Sequence, residues 1–199
     1  MRLRAVLTRI DDQTSAPGAD ADAQRLALLG EPADLATYRS FLVRLYGFEA
    51  PVEVALQMTS NLNDVIDLRA RLHTRLLRSD LAALGIVDVT AIERCTLIPR
   101  FPDVLEALGW MYVIERGRML HSILHRHFQQ KLPVLAASAA TYLASERSAA
   151  RRMRELGATF ESVVRSDLDV DHVLHATQVA FRAQAQWYAY EQPAQSHVA

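Results

Sequence analysis

Apolar residues recur every three or four positions along most of the chain, which is the spacing of one face of an α-helix. Asp34 is of a residue type that favours the N-cap of a helix, and the apolar positions after it predict one such face. That face comprises Leu35, Tyr38, Phe41, Leu42, Leu45 and Tyr46. The chain contains neither Asn-Gly nor Asp-Gly, the dipeptides typical of β-hairpin turns. The pattern therefore predicts an all-α fold.

Further helix boundaries follow from residues that begin or end helices. Pro51 is expected in the first turn of a second helix, because the amide that proline lacks would be unpaired there. Asp64 is expected to begin a third helix, and Gly85 to end the helical pattern that follows. Residues 86–102 are expected to form an irregular connection, since two prolines lie near its end.

The second half of the chain continues the helical pattern. Its longest continuous stretch runs from Asp103 to about Phe128 and predicts a single helix. Pro133 is expected to begin the next helix, and Asp169 or Asp171 to cap the last one. The helix between them has an inner face of Met153, Leu156, Phe160, Val163 and Val164.

Two segments lack this pattern. Residues 11–24 are rich in Asp, Ala, Ser, Gly and Pro, and are expected to form a flexible segment that ends the first helix early. Residues 192–199 are expected to be a flexible polar tail. Neither an internal repeat nor a domain boundary is visible, so residues 1–199 are predicted to form a single domain of about eight helices.

Composition narrows the classes of partner and compartment. The formal net charge is −1, from 22 basic and 23 acidic residues, so neither nucleic acid nor a membrane is expected as a partner. Cys95 is the only cysteine, which excludes an internal disulfide and fits a reducing compartment. The apolar stretch Leu132–Ala144 is too short to span a bilayer, and the N-terminus lacks the apolar run of a signal peptide. These features predict a cytoplasmic protein.

Four segments of the sequence occur in the order found in one enzyme family. They are Tyr38–Leu42 followed by Leu45–Glu53, then Asp80–Gly85, Ala107–Glu115, and the residues Ala176, Phe181 and Trp187. Together they resemble the heme oxygenase family, in particular the bacterial branch found beside bacteriophytochromes. The resemblance spans Leu3 to Trp187 and implies a heme-oxygenase-like helical bundle, in which Ala107–Glu115 begins the distal helix.

Members of this family cleave heme to biliverdin, carbon monoxide and iron, using oxygen and an external reductant. The resemblance implies that a histidine of the first helix would hold the heme iron. It also implies that glycines of the distal helix would leave room for the heme and for oxygen. The heme would then lie between the first and the distal helix.

Both of these requirements are altered in this sequence. Asp11 stands where the iron-binding histidine is expected, and the first histidine of the chain is His73. A carboxylate is a poor substitute for the imidazole that ferrous heme needs to bind oxygen. In the distal helix, Arg116, Leu120 and His121 stand where the family has glycines. These differences predict a divergent family member without the standard heme-cleaving activity.

The resemblance assigns the candidate ligand pocket to Asp11, Tyr112, Glu115, Arg116, Leu120 and His121. His121 is the candidate ligand of a heme iron, and it would occupy the site where oxygen binds. Alternatively, His121 and Arg116 fill the pocket as a polar network. Tyr112 and Glu115 are expected chiefly to hold the distal helix to its neighbours.

Other polar residues of this helix suggest additional roles. His121, His125 and His127 are spaced so that they could bind a metal, but no further ligand is evident and ordinary hydrogen bonds explain His125 and His127. Arg116 and Arg118 could bind heme propionates or another anion by charge-assisted hydrogen bonds. A solvated helix face explains Arg118 equally well.

Three functions therefore stay open. The protein could bind heme or another tetrapyrrole without cleaving it. It could instead act through protein–protein contacts as an interaction or regulatory module, which could be a homodimer. The alternative is an active heme oxygenase that converts heme to biliverdin, CO and iron, with His121 as a non-standard axial ligand. The volume beside His121 discriminates between them, since an open apolar slot favours a ligand and a filled core favours the interaction module.

Overall fold

A computed structural model describes residues 5–145 and 148–189 of the chain. Leu3, Arg4 and the predicted polar tail 192–199 lie outside these described residues. Within them the chain forms α-helices, short 3-10 turns and no strand, which confirms the predicted all-α class. The helices are α1 (Ala5–Gln13), α2 (Ser15–Leu26), α3 (Leu35–Met58), α4 (Leu62–Val65), α5 (Thr74–Ala83), α6 (Val104–Arg118), α7 (His121–Lys131), α8 (Pro133–Ala139), α9 (Thr141–Ser145), α10 (Ala149–Val163) and α11 (Asp167–Ala189).

Two apolar clusters form the core of this bundle. The first joins α1, the second half of α3, α6, α10 and α11, with Trp110, Phe160 and Phe181 among its buried side chains. The second joins the first half of α3 to α5, α7 and α9, with Phe128 and Tyr142 at its centre. Because α3 is 24 residues long, it contributes to both clusters and connects them.

Helices α6 and α11 cross in close contact at Gly109. A Cβ atom added there would lie 2.7 Å from the Cβ of Ala176 and 2.9 Å from the carbonyl oxygen of Val173. These atoms belong to the backbone and the shortest side chain of α11, so they cannot move aside. Glycine at this position therefore allows α6 to be buried, and it sets where the second half of α6 lies.

Several helix ends are where the sequence places them. Asp34 caps α3 by accepting a hydrogen bond of 2.8 Å from the Thr37 amide, and Asp103 caps α6 by accepting one of 3.0 Å from the Glu106 amide. Gly85 follows α5 with a φ of +86°, a conformation that favours glycine. These three helix boundaries are confirmed.

The last helix begins two residues before Asp169, at Asp167. The Asp169 carboxylate accepts hydrogen bonds from the amides of Arg165 and Ser166, and the Ser166 hydroxyl accepts one from the Asp169 amide. This reciprocal pair has the pattern of a capping box, with Ser166 before the helix and Asp169 three residues later. The predicted capping by Asp171 is wrong, since its carboxylate instead pairs with Arg9 of α1 at 3.0 Å.

The predicted helix boundary at Pro51 is wrong, because α3 continues through this residue. A proline inside a helix leaves the carbonyl four residues earlier without its usual donor, and here that carbonyl belongs to Gly47. The amide of Cys95 donates to the Gly47 oxygen at 2.9 Å and replaces the missing bond. A donor distant in sequence therefore makes the proline tolerable.

The helix predicted to start at Asp64 is also interrupted. Helix α4 ends at Val65, a 3-10 turn follows, and α5 begins only at Thr74. The carboxylate of Glu53 on α3 accepts hydrogen bonds from the His73 amide at 2.6 Å and from the Thr74 amide at 3.1 Å. A side chain from another helix thus satisfies the first amides of α5 and fixes where it starts.

The predicted single helix from Asp103 to Phe128 is two helices. Around Met119 and Leu120 the hydrogen bonds shorten to three residues, from the Met119 amide to Arg116 and from the Leu120 amide to Gly117. Such a 3-10 turn redirects a helix without requiring a proline or an interruption of the apolar pattern. His121 consequently begins α7 and does not continue α6.

Residues 11–24, predicted as an irregular flexible segment, belong to α1 and α2. Pro17 lies in the first turn of α2, where its missing amide has no intrahelical partner to lose, and alanine is common in the rest of the helix. The Thr14 hydroxyl between the two helices donates to the Ile10 carbonyl at 2.7 Å. The prediction failed because proline and glycine, which usually indicate a loop, are tolerated here in the first turn of a helix.

Candidate functional site

The first and the distal helix meet at Asp11 and Tyr112. The Tyr112 hydroxyl on α6 donates a hydrogen bond to the Asp11 carboxylate on α1. Burial raises the pKa of Tyr112, and the neighbouring Asp11 raises it further, so the phenol stays protonated and remains a donor. Asp11 thus binds a tyrosine of the distal helix at the position where the resemblance expects an iron ligand.

Helix α2 covers the second half of α6. The guanidinium of Arg116 donates to Asp22 at 2.6 Å and lies against Gly18, where an added Cβ would be 2.7 Å from the Arg116 Nε. The guanidinium of Arg25 lies even closer to Gly117, since a Cβ there would be 2.1 Å from its Nη1. The segment predicted to be flexible is therefore largely a helix, α2, that packs onto the second half of α6.

Glu115 lies in a buried ion network that links α6 to three other parts of the fold: α3, the 3-10 turn at Arg71, and α10. The network comprises Glu49, Glu53, Glu115, Arg71, Arg118 and Arg152. Glu115 contacts Arg152 at 2.9 Å and Arg71 at 3.2 Å, and Arg118 contacts Glu49 at 2.6 Å. The equal number of carboxylates and guanidiniums balances the buried charge.

The network also fixes the direction of Arg118. This side chain is 1% exposed and donates further hydrogen bonds to the Arg71 carbonyl and the Glu53 carboxylate. The solvated-face interpretation of Arg118 is therefore wrong. Burial is the main cause of two pKa shifts here, raising the pKa of Glu53 and lowering that of Arg71, while their partners oppose both shifts.

His121 lies beside the second apolar cluster, on α7. It is fully buried, with its ring 5.3 Å from that of Tyr142 and 6.4 Å from that of Phe41. Tyr142 in turn donates to Glu49 of the ion network at 2.6 Å. The imidazole is thus enclosed by side chains of α3 and α9, and Leu120 sits half-buried in the turn just before it.

The six residues of the predicted pocket consequently divide into three groups. Asp11, Tyr112 and Arg116 lie where α6 meets α1 and α2, and Glu115 lies inside the ion network. Leu120 and His121 form the third group, with Leu120 in the turn before α7 and His121 beside the second core cluster. The 3-10 turn between α6 and α7 separates His121 from the residues of α6. The structure therefore does not bring the six side chains around one common space.

The other histidines that the structure describes do not join a metal site. Among the described residues, no group of three or more His, Cys, Asp or Glu side chains is arranged to hold a metal ion, and this includes His121, His125 and His127. His172 at the start of α11 lies 3.8 Å from carboxylate oxygens of Asp103 and Glu106, which ties the last helix to the beginning of α6.

Two surface cavities border these elements, and His121 lines neither of them. One of about 580 Å³ opens between α2, α3 and the end of α11, and one of about 550 Å³ lies between α4, α6 and α10. The first is lined by Arg25 and Arg44, for neither of which the sequence pattern predicts a role. Arg25 could not be found from the sequence because it follows a segment interpreted as a loop.

No known family model matches the chain, and no curated protein matches its sequence. The fold and the side-chain geometry are therefore the basis for any function. In the described part of the chain, no helix combines the length and the apolar character needed to cross a membrane.

Proposed function

We propose that this protein is a divergent heme-oxygenase-like protein that does not cleave heme and acts as an interaction or regulatory module. The observation that carries the proposal is the filled space between α1 and α6. Asp11 accepts a hydrogen bond from Tyr112. Arg116 donates a hydrogen bond to Asp22 and packs against Gly18, so α2 lies over this part of α6. A flat porphyrin inserted between α1 and α6 would have to displace α2.

The surroundings of His121 support the same proposal. An axial ligand must present an imidazole nitrogen to an open space beside the iron. His121 is fully buried among aromatic side chains, and the turn at Met119 and Leu120 separates it from the helix face that carries Tyr112 and Arg116. The filled core favours an interaction or regulatory module over an active heme oxygenase.

A hemin titration followed by absorption spectroscopy tests this proposal. We expect no saturable, sharpened Soret band at stoichiometric hemin, because no prepared site receives the porphyrin. The same result is expected for Asp11→His, which restores an imidazole on α1 without removing α2. A saturable sharp band that His121→Ala abolishes would instead assign heme binding to His121 and would contradict the proposed filling of the site.

A further inference from the structure

The cavity of about 580 Å³ has the size of a small-molecule site. We call it the Arg25 cavity. One part of its wall is apolar and is formed by Ala27, Leu28, Ala36 and Phe41. The other part carries the polar side chains of α2, α3 and α11. A wall divided in this way suits a ligand with an apolar body and one polar end.

Arg25 is the unusual member of this wall. Its side chain is only 4% exposed, yet it forms no ion pair with a carboxylate of the described residues, and its Nε has no hydrogen-bond partner there. The guanidinium lies over the ring of Tyr188, 5.7 Å from its centre. A buried charge without an anionic partner is costly, so the arrangement favours binding of an anion at this point.

Packing holds the guanidinium of Arg25 in place before any ligand binds. It rests on Gly117 of α6, where the absence of a side chain leaves room for it. It also lies near the ring of Tyr188, a residue that lines the cavity too. A preorganised guanidinium loses little conformational entropy when it binds, and its planar fork matches a carboxylate.

The charges around the cavity favour a monoanion. Arg44 also lines the wall, but one of its nitrogens already donates to the Tyr188 carbonyl at 2.6 Å. Glu31 lines the same cavity and adds a negative charge. A ligand that carries two negative charges would be repelled by Glu31, whereas a single carboxylate is compensated by Arg25.

We propose that the Arg25 cavity binds a small amphipathic monocarboxylate, with its carboxylate on the guanidinium of Arg25 and its apolar body against Leu28 and Phe41. This inference goes beyond the proposed function, because it adds a small-molecule site to the interaction or regulatory module. No covalent step is involved, since the groups in the cavity offer charge, hydrogen bonds and apolar contact.

Isothermal titration calorimetry of the full chain tests the ligand class. The probes are octanoate, 1-octanol, which has the same chain length without the charge, and octyl phosphate, which carries a different anion. We expect saturable binding of octanoate. Binding of 1-octanol should be weaker by about tenfold or more, as for the loss of one charge-assisted hydrogen bond. Binding of octyl phosphate should also be weaker, because Glu31 repels its second negative charge. No binding of octanoate, or binding of either other probe as tight as that of octanoate, would overturn the proposal.

Three variants locate the site. Arg25→Gln should weaken octanoate binding by about tenfold or more, since it removes the charge. Ser40→Trp places a large ring on the exposed wall of the cavity and should abolish binding, which provides a test if Arg25→Gln does not fold. The control Arg78→Gln changes an exposed arginine of α5 outside the cavity and should bind as the wild type does.

Unchanged binding in Ser40→Trp or in folded Arg25→Gln would overturn the proposal. An equal loss of binding in Arg78→Gln would do so too, because it would reveal a general effect of charge. These outcomes are separate from the hemin titration. Failure of octanoate to bind leaves the filled space between α1 and α6 untouched, and heme binding would contradict the proposed function whether or not octanoate binds.

Discussion

The Tyr112 hydroxyl on α6 donates a hydrogen bond to the Asp11 carboxylate on α1. This bond joins the two helices between which the resemblance to heme oxygenases would place the porphyrin. The hydroxyl is buried and Asp11 is exposed, so the pair lies at the edge of the bundle. Variants of this pair therefore test whether α1 and α6 are in contact in solution.

Tyr112→Phe should lower the free energy of unfolding by about 1 kcal/mol, because it removes one hydrogen bond and leaves an exposed acceptor that water can satisfy. Asp11→Asn should have a smaller effect, since the amide oxygen can still accept. Chemical denaturation of both single variants and of the double variant measures the coupling. Strictly additive losses would show that the two side chains do not interact in solution.

The ion network predicts a large difference between two glutamates. Glu115→Gln should cost about 3–5 kcal/mol, because it leaves the buried guanidiniums of Arg71 and Arg152 without their shared carboxylate. Glu155→Gln removes a half-exposed partner of Arg71 and should cost less than about 1 kcal/mol. Urea unfolding of the two variants gives the comparison, and similar losses would mean that the network is not closed to water.

Glu53 makes the stability of the protein depend on pH. Burial raises its folded-state pKa above the ordinary value of 4.5, so the unfolded chain loses this proton at a lower pH than the folded protein does. The contribution of protonated Glu53 is therefore fully present below pH 4.5 and is lost as the pH rises through the folded-state pKa.

Glu53→Gln cannot ionise and provides the reference for this effect. The Tm of the wild type minus the Tm of Glu53→Gln should be largest in acid and should decrease as the pH rises toward neutrality. Thermal unfolding of both proteins across this range measures it. A difference that increases with pH would mean that the folded state favours the ionised carboxylate.

Two glycines of α6 should respond differently to alanine. Gly109→Ala places its Cβ against the backbone of α11 and should cost about 1–3 kcal/mol, since the crossing of α6 and α11 must widen. Gly117→Ala meets only the far end of the Arg25 side chain, whose displacement costs less than a shift of backbone, and alanine also favours a helix. Its stability should stay within about 1 kcal/mol of the wild type.

Thermal and urea unfolding of both glycine variants decides this prediction. A loss in Gly117→Ala as large as that in Gly109→Ala would mean that the position of Arg25 on α6 is rigidly required. Equal stability of the two variants and the wild type would mean that α6 and α11 are not in close contact.

The parts of the fold that local chemistry determines were predictable. Asp34 and Asp103 cap their helices through their own side chains, and Gly85 ends α5 through its own backbone conformation. Pro51 was not predictable in the same way, because the donor that compensates it, the Cys95 amide, is distant in sequence.

The geometry of the candidate site was also not predictable, because it depends on residues distant in sequence. The identities of Asp11, Arg116 and His121 could be compared with the family pattern, but the direction of each side chain depends on α2 and on the turn after Arg118. Charged residues within apolar helix faces, such as Glu49 and Glu53, were the one signal that could have indicated the buried network. Their partners come from other helices, so the pairs could not be read from spacing along one helix.

A single-turnover assay tests the central claim most directly. The protein is mixed with an equimolar amount of hemin, a reductant and oxygen are added, and biliverdin is followed by its absorption. The filled space between α1 and α6 predicts no more biliverdin than hemin forms with a control protein such as serum albumin. Stoichiometric release of biliverdin would contradict the account, since it would require an open heme site beside the distal helix.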